Sequence, residues 1–204
     1  MGERSDRVGA ELIAAILWRL GMIAAAVAVM TCAANAKSAQ EIATTFCAGC
    51  HGQNGVPISA DIPVIWGQHA DYLFRQLSDF KSGARDSPMM QPNVADLSPT
   101  DLRALANYFG AKTWPKLGQT AAPAQEAARA SADIASGHCT QCHLDGFRGD
   151  AANPRIAGQN MLYLQITMQA FHDDVRANNP AMSALMKPYS DDDVTALARY
   201  LGGL

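Results

Sequence analysis

The sequence predicts an all-α protein made of two tandem copies of one small helical unit. Three observations predict it. A Cys-x-x-Cys-His pentad occurs twice, as Cys47-Ala48-Gly49-Cys50-His51 and Cys139-Thr140-Gln141-Cys142-His143. The stretches after the two pentads resemble each other at a nearly constant offset, the mark of an internal duplication. Apolar residues recur at helical spacing, and no strand-length run of β-branched residues bounded by turns appears. Of 204 residues, 49% are hydrophobic and only 17% charged, which excludes a charge-rich disordered chain. A net charge of −3 argues against a nucleic-acid binder, which is usually strongly basic. A long apolar stretch occurs only within residues 1–36, which argues against a polytopic membrane protein.

The first element is an address label. Arg4, Arg7 and Arg19 precede or interrupt an apolar run, Leu20 to Met30 is uncharged, and Ala34-Asn35-Ala36 forms an A-x-A pattern before Lys37. A charged start, a short apolar core and a small-residue cleavage site describe a secretory signal peptide over residues 1–36. The alternative is an uncleaved anchor, since Ala10 to Leu17 lengthens the apolar region. Cleavage removes Cys32 and leaves four cysteines, all in the two pentads.

The repeat defines the remaining layout. Pro63, Gly67, Gln68, Tyr72, Leu73, Phe80 and Arg85 recur as Pro154, Gly158, Gln159, Tyr163, Leu164, Phe171 and Arg176. Met90, Ser98, Asp101, Leu105 and Tyr108 recur as Met182, Ser190, Asp193, Leu197 and Tyr200. Residues 37–112 form the first unit, 113–124 a linker with Pro115, Gly118 and Pro123, and 125–204 the second unit. At about 80 residues each unit needs a staple beyond its own core.

Within a unit, Ala39, Ile42, Ala43, Phe46 and Cys47 fall on one helix face, so the first cysteine closes a helix whose apolar side faces inward. Ile134 and Ala135 keep that pattern in the second copy, with His138 in place of Phe46 on the inner face. Leu73, Gln76, Leu77 and Phe80 mark a second helix. Ser98-Pro99-Thr100-Asp101 opens a third, with Ser as N-cap, Pro at N1 and an acid at N3. Ser190 and Asp193 repeat that start.

Cys-x-x-Cys-His is the attachment motif of c-type haem. One helical turn presents two thiols to the two vinyl groups of a porphyrin, and the adjacent histidine meets the iron. The expected covalent attachments are Cys47, Cys50, Cys139 and Cys142, with His51 and His143 as iron ligands. A redox disulfide and a zinc site are the alternatives, and zinc would need one more ligand per unit. Neither accounts for a methionine held in register. Methionine is the ligand expected opposite histidine in electron-transfer haems. Met90 and Met182 are the methionines at matching offset, Met89 remaining a rival to Met90. Met161 and Met168 read as core filler, and His69, His138 and His172 as non-ligands. An iron-bound imidazole usually donates its other N–H to a carbonyl, for which Pro63 and Pro154 are candidates. Tyr72, Tyr163, Arg85 and Arg176 either bond haem propionates or pack, and Gln68 and Gln159 share that choice.

These motifs resemble the di-haem class I c-type cytochromes, the cytochrome c4 family, over nearly all of residues 38–204. The resemblance rests on both pentads, the Pro-x-Ile-x-Gly-Gln segment after each, the Phe-x4-Arg block, Met90 and Met182, and the closing helix. It implies two cytochrome c domains, each a small helical fold around one haem with His/Met iron. It implies a periplasmic carrier between respiratory donors and a terminal oxidase or other acceptor. Expected partners are a membrane oxidase, a cytochrome bc complex or a dehydrogenase. Membrane association is expected only through an uncleaved leader or a partner. The haem subunit of flavocytochrome c sulfide dehydrogenases has the same layout and gives the alternative function. A di-haem peroxidase would need one iron without a strong sixth ligand, whereas both units offer a methionine. The sequence departs from the family at Leu144, where Gly52 stands in the first copy, at Trp66, and in the loop 145–150.

Overall fold

The computed structural model describes residues 37–204, so the predicted leader lies outside the described residues. The chain divides into units 1–38 and 39–204, and every element below belongs to the second. All regular structure among the described residues is helical.

The first half begins with α1 (Ala39–Ile42), a π-helical turn (Ala43–Cys47) and α2 (Ala48–His51) in one continuous run. It continues with α3 (Ala70–Ser82), α4 (Gln91–Val94) and α5 (Pro99–Gly110). Helices α1 and α3 pack on α5, burying Ile42, Ala43, Leu73, Leu105, Ala106 and Phe109 together. The second half repeats the plan with α6 (Ala124–Ser136), α7 (Thr140–His143), a 3-10 turn (Asp145–Phe147), α8 (Met161–His172), α9 (Pro180–Met186) and α10 (Asp191–Gly202). Its own core gathers Ala130, Phe171, Met186, Val194, Leu197 and Leu201, with α10 packed on α6 and α8. Met168 is buried in that core, as expected of filler.

The helix before each pentad departs from the simple periodic reading. Phe46 does not face the core but is 54% exposed. The Ala48 N–H reaches back to Ala43 O, an i→i−5 bond, and the extra residue in that turn swings Phe46 off the apolar face. Cys47 stays half-buried and Ala48 buried. In the second half α6 stops at Ser136, and His138 takes φ 52°. His138 and Ala135 are therefore exposed rather than on an inner face, because the helix ends before reaching the pentad.

The Phe-x4-Arg block is a helix stop. After α3, Gly83 at φ 79° reverses the chain and Arg85 lies 4.5 Å over the Phe80 ring. After α8, Asp174 at φ 57° takes the glycine's place, and Arg176 lies 4.4 Å over Phe171. Both guanidiniums thereby turn toward the seam between the two halves. Trp114, just after α5, sits against Gly67 and Gly158, which are repeat-related; a Cβ on Gly67 would lie 2.8 Å from the Trp114 nitrogen.

Candidate haem sites

Each pentad places its residues alike. Cys47 and Cys139 are half-buried, Cys50 and Cys142 exposed, and no disulfide joins any of the four. Burial pushes the Cys47 and Cys139 thiols up, which favours the protonated sulfur. Among the described residues no cluster of three or more His, Cys, Asp or Glu side chains gathers into a zinc cage.

His51 and His143 are each 8% exposed. His51 Nδ1 lies 2.9 Å from Pro63 O, and His143 Nδ1 lies 2.9 Å from Pro154 O. A carbonyl only accepts, so in both rings Nδ1 carries the proton and Nε2 is left with its lone pair. Burial pushes both imidazoles down, outweighing the opposing effect of the carbonyl bond, so the neutral, metal-binding form is favoured.

Met90 immediately precedes α4 and packs against Phe80, Val94 and Leu102, whereas Met89 is 63% exposed. Met182 lies in the first turn of α9, where its N–H bonds the Asn179 cap, and its side chain packs on the second core. Met186 is buried in that same core, where its repeat counterpart Val94 is not a methionine. His69 bonds Arg148 O at 2.8 Å, and His172 bonds its neighbour Asp173 at 2.7 Å.

The tyrosines and arginines meet across the seam. Arg85 Nη2 donates to Tyr163 Oη at 3.2 Å, and Arg176 Nη2 to Tyr72 Oη at 3.4 Å. Both arginines also donate to Gln76 Oε1, each at 2.8 Å. Among the described residues neither guanidinium forms an ion pair with a carboxylate. Burial alone would raise the Tyr163 phenol, but Arg85 and Arg176 outweigh it and bring it down to about 7. The seam thus concentrates two guanidiniums with the Asp79 carboxylate near Arg85, a net positive environment that favours an anionic group. Gln76 is the residue that sequence reasoning missed, because the second copy has Thr167 at its position and the repeat gave it no weight.

Two thiols one turn apart, an imidazole with a free Nε2, a half-buried thioether and a cationic seam fit a covalently held haem with two propionates. When bound, such a group supplies a one-electron iron couple.

Comparisons with known proteins agree with this geometry. Residues 36–111 match the family model described as cytochrome c, and residues 126–201 the model described as cytochrome C oxidase, cbb3-type, subunit III. The thiosulfate dehydrogenase electron acceptor of Stutzerimonas stutzeri (strain A1501) is 34% identical over 173 residues, which is 79% of this chain and 80% of that protein. Cytochrome c4 of Thiocapsa roseopersicina is 31% identical over 176 residues, 79% of this chain and 88% of that protein. The crystal structure of reduced recombinant cytochrome c4 from Pseudomonas stutzeri superposes with a TM-score of 0.72 at 26% identity, covering 83% of this chain and all of that one. The chain is a member of the cytochrome c4 family, a di-haem electron-transfer protein with one covalent c-type haem in each of two cytochrome c domains.

Proposed function

We propose that this chain is a periplasmic electron shuttle between respiratory donors and a terminal oxidase or other acceptor. In each half the two cysteines of the pentad, Cys47 and Cys50 or Cys139 and Cys142, hold the haem covalently. His51 with Met90, and His143 with Met182, would be the iron's protein donors. The observation that supports this most is the paired donor set. In both halves a buried imidazole with its proton fixed on Nδ1 accompanies a methionine in repeat register. A nitrogen and a thioether donor from the protein in each half would suit a one-electron iron couple, so the chain's residues favour electron passage over substrate chemistry. They would hold the groups in place and fix one proton per imidazole.

Met90→Ala and Met182→Ala test the assignment. Each variant keeps both haems covalently bound, by mass, and loses the methionine-to-ferric-iron charge-transfer band of one domain. Full retention of that band in Met90→Ala would move the ligand to Met89. Export is supported by the leader pattern ending at Ala36. Amino-terminal sequencing of the exported protein checks it, with Lys37 expected first.

A second reading is that the chain is the haem subunit of a dehydrogenase complex. It is favoured by the 34% identity to a protein named as the electron acceptor of a thiosulfate dehydrogenase. Co-purification separates the two: a stable catalytic partner supports this reading, a lone soluble chain the first.

A further inference from the structure

The sequence repeat singles out Gln68 and Gln159 but gives them no distinct role. Both side chains are buried, at 4% and 3% exposure. Each pairs with both backbone polar groups of one residue in the other half. Gln159 Oε1 accepts from the Val64 N–H at 2.7 Å, and Gln159 Nε2 donates to Val64 O at 2.9 Å. Gln68 Oε1 accepts from the Arg155 N–H at 2.9 Å, and Gln68 Nε2 donates to Arg155 O at 2.9 Å.

The residues gripped are the ones that follow the two histidine-bonding prolines. Pro63 C=O and the Val64 N–H belong to one peptide unit, as do Pro154 C=O and the Arg155 N–H. That unit is planar and resonance-coupled. Holding the Val64 N–H therefore fixes the direction of Pro63 C=O, and accepting from it draws electron density onto the Pro63 oxygen. A chain of two hydrogen bonds through one peptide runs from Gln159 Oε1 to His51 Nδ1. Its twin runs from Gln68 to His143.

We propose that Gln159 is a positioning residue for His51, and Gln68 for His143, so that each domain sets the orientation and basicity of the other domain's haem-binding histidine. This rests on the reading of His51 and His143 as iron ligands. A more polarised carbonyl makes the imidazole more electron-rich and favours ferric iron. Loss of the glutamine therefore raises the potential of the haem in the opposite domain.

The test uses full-length di-haem protein with Gln68→Leu, Gln159→Leu and the volume-preserving Gln68→Glu and Gln159→Glu. The readouts are the hyperfine-shifted Nδ1–H protons of His51 and His143 in the ferric state, and the two reduction potentials. In Gln159→Leu the His51 proton moves and one potential rises, while the His143 proton stays; Gln68→Leu gives the converse. If a leucine variant does not accumulate, the glutamate variant decides. It keeps an acceptor for the peptide N–H but makes it anionic, so the crossed response appears with the potential lowered. Shifts confined to the variant's own domain, equal in both domains or absent overturn the proposal. If wild-type protein shows no hyperfine-shifted imidazole N–H, the ligand reading fails, and this proposal with it, before any glutamine is changed.

Discussion

Leu144 follows His143 at φ 57° and ψ 177°. That backbone region is nearly glycine's alone, and another residue there stores about 1–3 kcal/mol of strain. Its counterpart Gly52 sits at φ 85°, where a Cβ would lie 1.9 Å from Val56 O. Leu144 is 42% exposed, so its side chain returns little by packing. Leu144→Gly is therefore expected to stabilise the second domain by about 1 kcal/mol, measured as a higher denaturant midpoint at unchanged slope. Gly52→Ala is expected to do the reverse, lowering the yield of di-haem protein. The departure at Trp66 has a similarly local cause. A Cβ on Gly55 would lie 2.6 Å from the Trp66 ring, so the first copy pairs a glycine with a large ring. The second copy reverses the sizes, with Phe147 and Ala157 both buried at the corresponding positions. Each departure was visible in the sequence, but its partner was not, because the pairing runs through a loop without a periodic pattern.

The elements that the sequence specifies most sharply are those with local chemistry. Ser98 and Ser190 each cap a helix, their hydroxyls accepting from the N–H of Asp101 at 3.2 Å and Asp193 at 3.3 Å. Both acids answer by accepting the cap residue's N–H at 2.9 Å. Ser98→Ala or Ser190→Ala is expected to cost about 1 kcal/mol, read by thermal unfolding of the variant. Hydrogen bonds from Ser98 and Ser190 hold the Asp101 and Asp193 carboxyls below the usual carboxylate range. The sign follows from proton linkage. Where the folded pKa is depressed, the unfolded chain binds more protons, so the contribution is complete above the ordinary carboxylate value and disappears as pH falls through the lower folded one. Acid titration of Ser98→Ala should accordingly show a weaker pH dependence than wild type below about pH 4. Phe46 and His138 were misplaced by periodicity for the opposite reason. A π-turn and an early helix stop both shift the phase of the face by a local backbone change that residue type does not announce.

At the scale of the molecule, the repeat brought the candidate donor sets into register but left the seam between the copies hidden. Arg85 meets Tyr163 across 78 residues of chain, and Arg176 meets Gln76 across 100. Such polar pairs leave no imprint on hydrophobic periodicity. The seam is only partly symmetric. Gln76 and Asp79 in the first copy are replaced by Thr167 and Ala170 in the second, so the one acceptor that both arginines share, Gln76, has no second-copy counterpart. Gln76 Oε1 takes two guanidinium bonds and a third, at 3.2 Å, from Asn178, whose amide also reaches Asp79 at 2.7 Å. A neutral amide between two largely buried cations is thus the polar hinge of the interface. Each hydrogen bond to a charged group contributes about 1.5–3 kcal/mol, and the donors left unpaired by its loss are half-buried in Arg85 and Asn178 and buried in Arg176. Wild-type protein is expected to unfold in one calorimetric transition, because the two cores are joined by this network and the paired glutamines. Gln76→Leu removes the shared acceptor without touching either core, and it should separate unfolding into two transitions, the haem bands of the domains melting at different temperatures. Gln76→Glu places a negative charge between the guanidiniums and should keep the transition single. A single sharp transition in Gln76→Leu would locate the coupling in the remaining cross-seam bonds instead, among them the glutamine–peptide pairs of Gln68 and Gln159 and the Asn160 amide on Ile62 O.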